Sequence, residues 1–241
     1  MRVKTAAAAI IVATAMMAQT GCDSTGGHGK VSKVGQTPAP GAGSTAASAS
    51  PSARYTAEQL KRALIDPPAG ATRVRTESGP ADTVITGFGA TGATAAVTAA
   101  PGCTASGPAG LGAATRTPTA LMSFTQGQTF TTVMLSAVSD AQARQRATRP
   151  FPKACRSFKA TAGGTTMSAR TVTDDPYTLG EGGRIREMDE TTSGVHVHLW
   201  NIVFLGPDYA ASCEADGLDV TRADAERLAR QAYRKASATL R

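Results

Sequence analysis

The chain has 241 residues and a formal net charge of +7, with 41% hydrophobic and 5% aromatic residues. Beyond its first few residues the basic side chains are mostly dispersed arginines without a Lys/Arg run, and there are few aromatics to interleave with them. That pattern excludes a nucleic-acid surface and leaves room for weak attraction to anionic phospholipid or cell-wall phosphate.

Arg2 and Lys4 precede a thirteen-residue apolar run, Ala6 to Ala18, followed by Gln19-Thr20-Gly21-Cys22. The run is shorter than the roughly 20 residues that span a bilayer, so residues 1–21 read as a secretory signal peptide. The segment's end resembles the lipobox of bacterial lipoproteins, with Gln19 standing where that family carries Leu, Val or Ile. The resemblance implies that Cys22 is lipidated and anchors the protein to the outer face of the cell membrane. Residues 23–53 are mostly Gly, Ser, Thr, Ala, Pro and Lys, too poor in apolar side chains to offset the entropy of ordering. As a flexible tether they reach about 30 Å. Residues 54–241 form one globular domain.

Cys22 being explained by processing, Cys103, Cys155 and Cys213 remain in an oxidising compartment. One disulfide and one free thiol is the simplest allocation. The favoured pair is Cys103 with Cys155, whose bond contributes about 4 kcal/mol by chain entropy; the other pairings stay open.

Thr56-Ala57-Glu58-Gln59 is a capping box that opens a helix ending before Pro67-Pro68. Between Asp82 and Asp140 the only charge is Arg116. Within that stretch Thr83 to Thr86, Ala120 to Thr125 and Thr129 to Val138 have strand character. Ser139-Asp140 starts a second helix to about Arg149, and a turn carries Phe151, Cys155 and Phe158. Thr165 to Thr173 and Arg184 to Glu190 are expected as strands joined through turns at Asp174-Asp175-Pro176 and Gly180 to Gly183. Val195 to Leu205 is the strongest strand, entering the core after His196 and His198. Thr221 caps a terminal helix with an alanine- and leucine-rich face. The order predicts an α+β domain whose antiparallel sheet is covered by helices on one face, with a long C-terminal helix.

From Phe124 onward the chain resembles the extracellular sensor domain of mycobacterial PknH-type serine/threonine kinases and related actinobacterial lipoproteins. The resemblance rests on the apolar strand Thr132 to Val138, the Ser-Asp entry to an Ala-rich helix, Cys155, and a late apolar strand followed by a cysteine, Cys213, before the Ala-rich terminal helix. It implies an extracytoplasmic binding or sensing module without catalytic residues.

Gly87-Phe88-Gly89-Ala90-Thr91-Gly92 matches the dinucleotide fingerprint, but the acid needed about 20 residues later is missing. His196-x-His198 puts two imidazoles on one strand face, to which Glu187, Asp189 or Glu190 adds a third ligand if the strands pair. No nucleophile motif accompanies them, so no enzyme activity and no cofactor is expected. The ligand contacts are expected from the near-uncharged segment 83–139, Arg116 included, together with His196 and His198. They suit an uncharged or mildly anionic glycan or lipid of the envelope. Two other functions fit the same sequence: a structural or assembly-assisting protein that binds another protein, and a metal-binding protein through His196 and His198.

Overall fold

The computed structural model describes residues 53–89, 96–99, 116–138, 141–162 and 165–241. The signal peptide, Cys22, the tether and Cys103 lie outside the described residues. Four helices, α1 (Ala57–Ala63), α2 (Ala81–Gly89), α3 (Ala141–Thr148) and α4 (Arg222–Thr239), accompany nine strands. The strands are β1 (Thr72–Pro80), β2 (Ala96–Ala99), β3 (Pro118–Gln126), β4 (Thr129–Ala137), β5 (Ser157–Ala162), β6 (Thr165–Tyr177), β7 (Gly183–Thr192), β8 (Val195–Gly206) and β9 (Tyr209–Gly217). They form a single sheet of order β1-β3-β4-β9-β8-β7-β6-β5-β2, antiparallel at every pairing. The α+β class, the antiparallel sheet and the C-terminal helix are as the sequence predicts, but the helices lie on both faces, α1 and α4 on one and α2 and α3 on the other, because the central strands are apolar on both sides.

Alternation along the central strands separates two apolar clusters. Val133 and Leu135 of β4, Trp200, Ile202 and Phe204 of β8 and Ala211 and Cys213 of β9 face α1 and α4. The alternate residues Met134, Val203, Leu205 and Ala210 pack with Leu121, with Val84 of α2 and with Ala147 of α3. Helix α4 approaches the sheet through Ala225, Ala229, Ala232 and Ala236, all essentially buried. These small side chains let the helix axis lie close to β8 and β9. Its start is fixed by a capping box in which Thr221 and Asp224 exchange hydrogen bonds, a cap that contributes about 1 kcal/mol. At the other end the Tyr55 hydroxyl donates to the Leu240 carbonyl at 2.9 Å, tying the domain's first residues to the end of α4.

Four local expectations are corrected. Thr83 to Thr86 belongs to α2, because burying Val84 against Leu121 and Met134 outweighs the strand propensity of a Thr-Val-Ile-Thr run. Phe158 lies in a strand, β5, at the far side of the sheet. Asp174-Asp175-Pro176 is not a turn but the last part of β6. The β5 pairing ends at Arg170, so the proline sits where β6 has no strand on its second side. Finally β9, with small and acidic residues that gave no strand signal, is an interior strand between β4 and β8. The β7–β8 hairpin turns through Ser193 and Gly194, both with positive φ (51° and 80°), as a two-residue hairpin loop requires.

Candidate functional site

The sequence-predicted residues are not brought together. Arg116 is exposed two residues before β3. The start of β3 aligns through Thr119–Ser136, Ser136–Ala210 and Ala210–Leu205 with the far end of β8. Leu205 is seven residues along that strand from His198, roughly 23 Å. His196 and His198 are both exposed at the opposite end of the sheet.

There the expected strand pairing does occur. Asp189 of β7 stands opposite His198 of β8, with 3.2 Å between Asp189 Oδ1 and His198 Nδ1. Glu187 joins them, so that one potential ligand atom from each of Glu187, Asp189 and His198 lies within 4.8 Å of the others. His196 is not part of this group; its Nδ1 lies 3.0 Å from the Thr191 hydroxyl. The Arg170 guanidinium occupies the other Asp189 oxygen at 3.1 Å, placing a positive charge beside any cation bound there. Among the described residues His198–Asp189 is the only imidazole–carboxylate contact, so the hydroxyl beside His196 lacks the oriented base of a nucleophilic dyad.

A cavity of about 600 Å³ opens on the face that α1 and α4 cover, between α4, the α1–β1 connection and the β3–β4 hairpin. Phe124, Thr131 and Ala215 are successive cross-strand partners on β3, β4 and β9, and they form its floor. Ile65, Val220 and Leu228 complete the apolar lining. Asp224, Arg227, Leu228, Gln231, Arg234 and Lys235 reach it from one stripe of α4, spaced by three and four residues. Lys235 pairs with Asp66 at 3.1 Å across the mouth, and Arg227 pairs with Asp224 on its own helix. Arg234, exposed, makes no ion pair with any described residue. An apolar floor under a polar, charged rim, of this volume, is the usual form of a small-molecule site. The near-uncharged segment does reach this cavity, through β3 and β4 but not through Arg116. Sequence reasoning missed the α4 stripe because the helix's arginines read simply as its solvated side.

On the opposite face a transverse polar row crosses the sheet. Asp174, Arg186, Asn201, Glu214, Thr132 and Ser123 are successive partners on β6, β7, β8, β9, β4 and β3. Nearby, Asn201 Oδ1, Glu190 Oε2 and Asp216 Oδ2 are buried without a hydrogen-bond partner. Burial pushes the Glu190 carboxyl up to about 7. Burial, and then the charge of Glu190, push Asp216 to about 7 against a backbone hydrogen bond from Phe130.

Cys213 is free, and full burial raises its thiol well above the ordinary range, leaving it inert. Cys155 is disulfide-bonded, with a partner outside the described residues. The fingerprint glycines Gly87 and Gly89 sit inside α2, not after a strand, so the phosphate-cradle geometry is absent from them.

No protein-family model matches the chain, and no curated protein does. Among solved structures it is similar to an uncharacterized Mycobacterium smegmatis protein, the ortholog of Rv0999. That similarity is 18% identity over 73% of this chain and 77% of the other, at a TM-score of 0.28. No described helix is long and apolar enough to cross a membrane.

Proposed function

We propose that this protein is a non-catalytic, extracytoplasmic binding module, anchored by a lipid on Cys22 and sensor-like in the sense of the PknH-type domain it resembles. The observation that carries the binding role is the cavity between α4 and the β3–β4 hairpin, with Phe124, Thr131 and Ala215 as its floor. Such a lining desolvates an apolar group while the rim holds a polar one. The leader and tether support the location, since a domain on a 31-residue tether works close to the membrane surface.

The test is a thermal-shift series on the purified chain against envelope glycans, lipids and peptides, with Gln231→Trp as a variant that fills the cavity mouth from an exposed helix position. The expected result is a ligand that raises the Tm of the parent chain and leaves that of the variant unchanged. A ligand that stabilises both equally places binding elsewhere.

A further inference from the structure

Residues 54–221 carry fifteen basic and fifteen acidic side chains, whereas residues 222–241 carry six basic and two acidic. The whole net charge of the domain therefore resides on α4 and its last residues. The same helix brings the cavity its cations, Arg227, Arg234 and Lys235, above the apolar floor, in a lining that also holds the carboxylates of Asp66, Asp219 and Asp224. The chain also enters the domain beside this helix, because Tyr55 is hydrogen-bonded to Leu240.

From these three placements we infer that the cavity takes up an acyl chain of an anionic phospholipid, with Arg234 as the principal contact of its phosphate. This rests on the cavity being the binding site and adds the class of its ligand. Phe124, Val220 and Leu228 cover the methylenes. Arg234 supplies a guanidinium that no carboxylate of the described residues neutralises, in the fork geometry suited to phosphate oxygens. Lys235 and Arg227 are partly offset by Asp66 and Asp224 and act by adding to the field of the helix. An anchor ahead of residue 54 keeps the domain within a tether's reach, about 30 Å, of the headgroups, so the ligand is a lipid of the surface the protein already occupies.

The test uses the full chain carrying Cys22→Ala, so that no acyl group of its own competes, and soluble dihexanoylphosphatidylglycerol, dihexanoylphosphatidylcholine and inorganic phosphate as probes. Phosphatidylglycerol is expected to raise the Tm, phosphatidylcholine at the same concentration to do so far less, and phosphate not at all. Arg234→Glu and Gln231→Trp should each weaken phosphatidylglycerol binding at least tenfold, while Arg230→Glu, outside the cavity stripe, should leave it within twofold. Equal responses to the two lipids, both lost in Gln231→Trp, would overturn the anionic selectivity and leave the cavity as a binding site. A shift reproduced by phosphate alone, or unaffected by Arg234→Glu, also overturns the lipid assignment. No response to either lipid, or to any uncharged amphiphile, removes both the assignment and the site.

Discussion

Asp174 Oδ1 accepts hydrogen bonds from Arg184 Nε at 2.5 Å and from Arg186 Nε at 3.2 Å, with its own side chain fully buried and Arg186 nearly so. Its second oxygen accepts from the Phe151 amide at 2.6 Å, and Arg186 lies 4.4 Å above the Phe151 ring while donating to the Arg149 carbonyl. One carboxylate thus bridges two arginines inside the fold and fastens the segment after α3 to β6 and β7. Desolvation pulls the Arg186 pKa down, and Asp174 opposes that shift. Replacing Asp174 by Asn or Ala strands two buried cations. The expected loss is about 3–5 kcal/mol of stability, measured as a drop in the urea midpoint. A loss under 1 kcal/mol would mean the arginines are solvated and the pair is peripheral.

Stability should fall as pH rises from 5 to 8. Glu190 and Asp216 have folded-state values near 7 against 4.5 and 3.8 for the free side chains. The folded state therefore holds more protons in this window, and the stability present at low pH is lost as both groups ionise. The size is about 3 kcal/mol per group, with the two titrating as a coupled pair. Denaturation at several pH values checks this, and Glu190→Gln with Asp216→Asn should flatten the profile. A profile that rises over the same range contradicts the assignment.

Peptide mapping without reductant should find Cys103 linked to Cys155. Ala99 pairs with Phe158 in the β2–β5 ladder, so Cys103 lies four residues beyond one member and Cys155 three residues before the other, on the same side. Cys213, buried between β4 and β8, should react with a thiol reagent only after unfolding. A Cys155–Cys213 peptide would contradict both expectations.

The mature protein should carry acyl groups on Cys22 and partition with membranes. Intact-mass analysis of the membrane fraction decides, and an unmodified chain starting after Cys22 would remove the anchor. Two or more acyl chains give stable attachment where a single one is marginal.

What was legible in the sequence follows from where packing agrees with local preference. Val195 to Leu205 and Thr129 to Val138 announce themselves because β-branched and aromatic residues fill both faces of buried strands. Thr56 and Thr221 announce their helices by caps that need no tertiary help. Tyr209–Gly217 does not, because its interior place depends on neighbours: Ala211 and Ala215 make room for α4, and Glu214 lies in the polar row. Asp174-Asp175-Pro176 reads as a turn until the two arginines that Asp174 bridges are seen ten and twelve residues later. The cavity is assembled from residues 65 to 235, at spacings no local pattern records.

The position of β9 between β4 and β8 also sets an order of events for a chain made from its N-terminus. The β1-β3-β4 group and the β8-β7-β6-β5-β2 group have no strand pairing with each other except through Tyr209–Gly217. Neither half can be joined to the other until more than 200 residues have been synthesised, and the shared helix α4 comes later still. A nascent chain is thus kept from completing its fold until its last strand and helix have been made. Premature termination before residue 209 removes the seam and leaves two open sheet edges facing solvent.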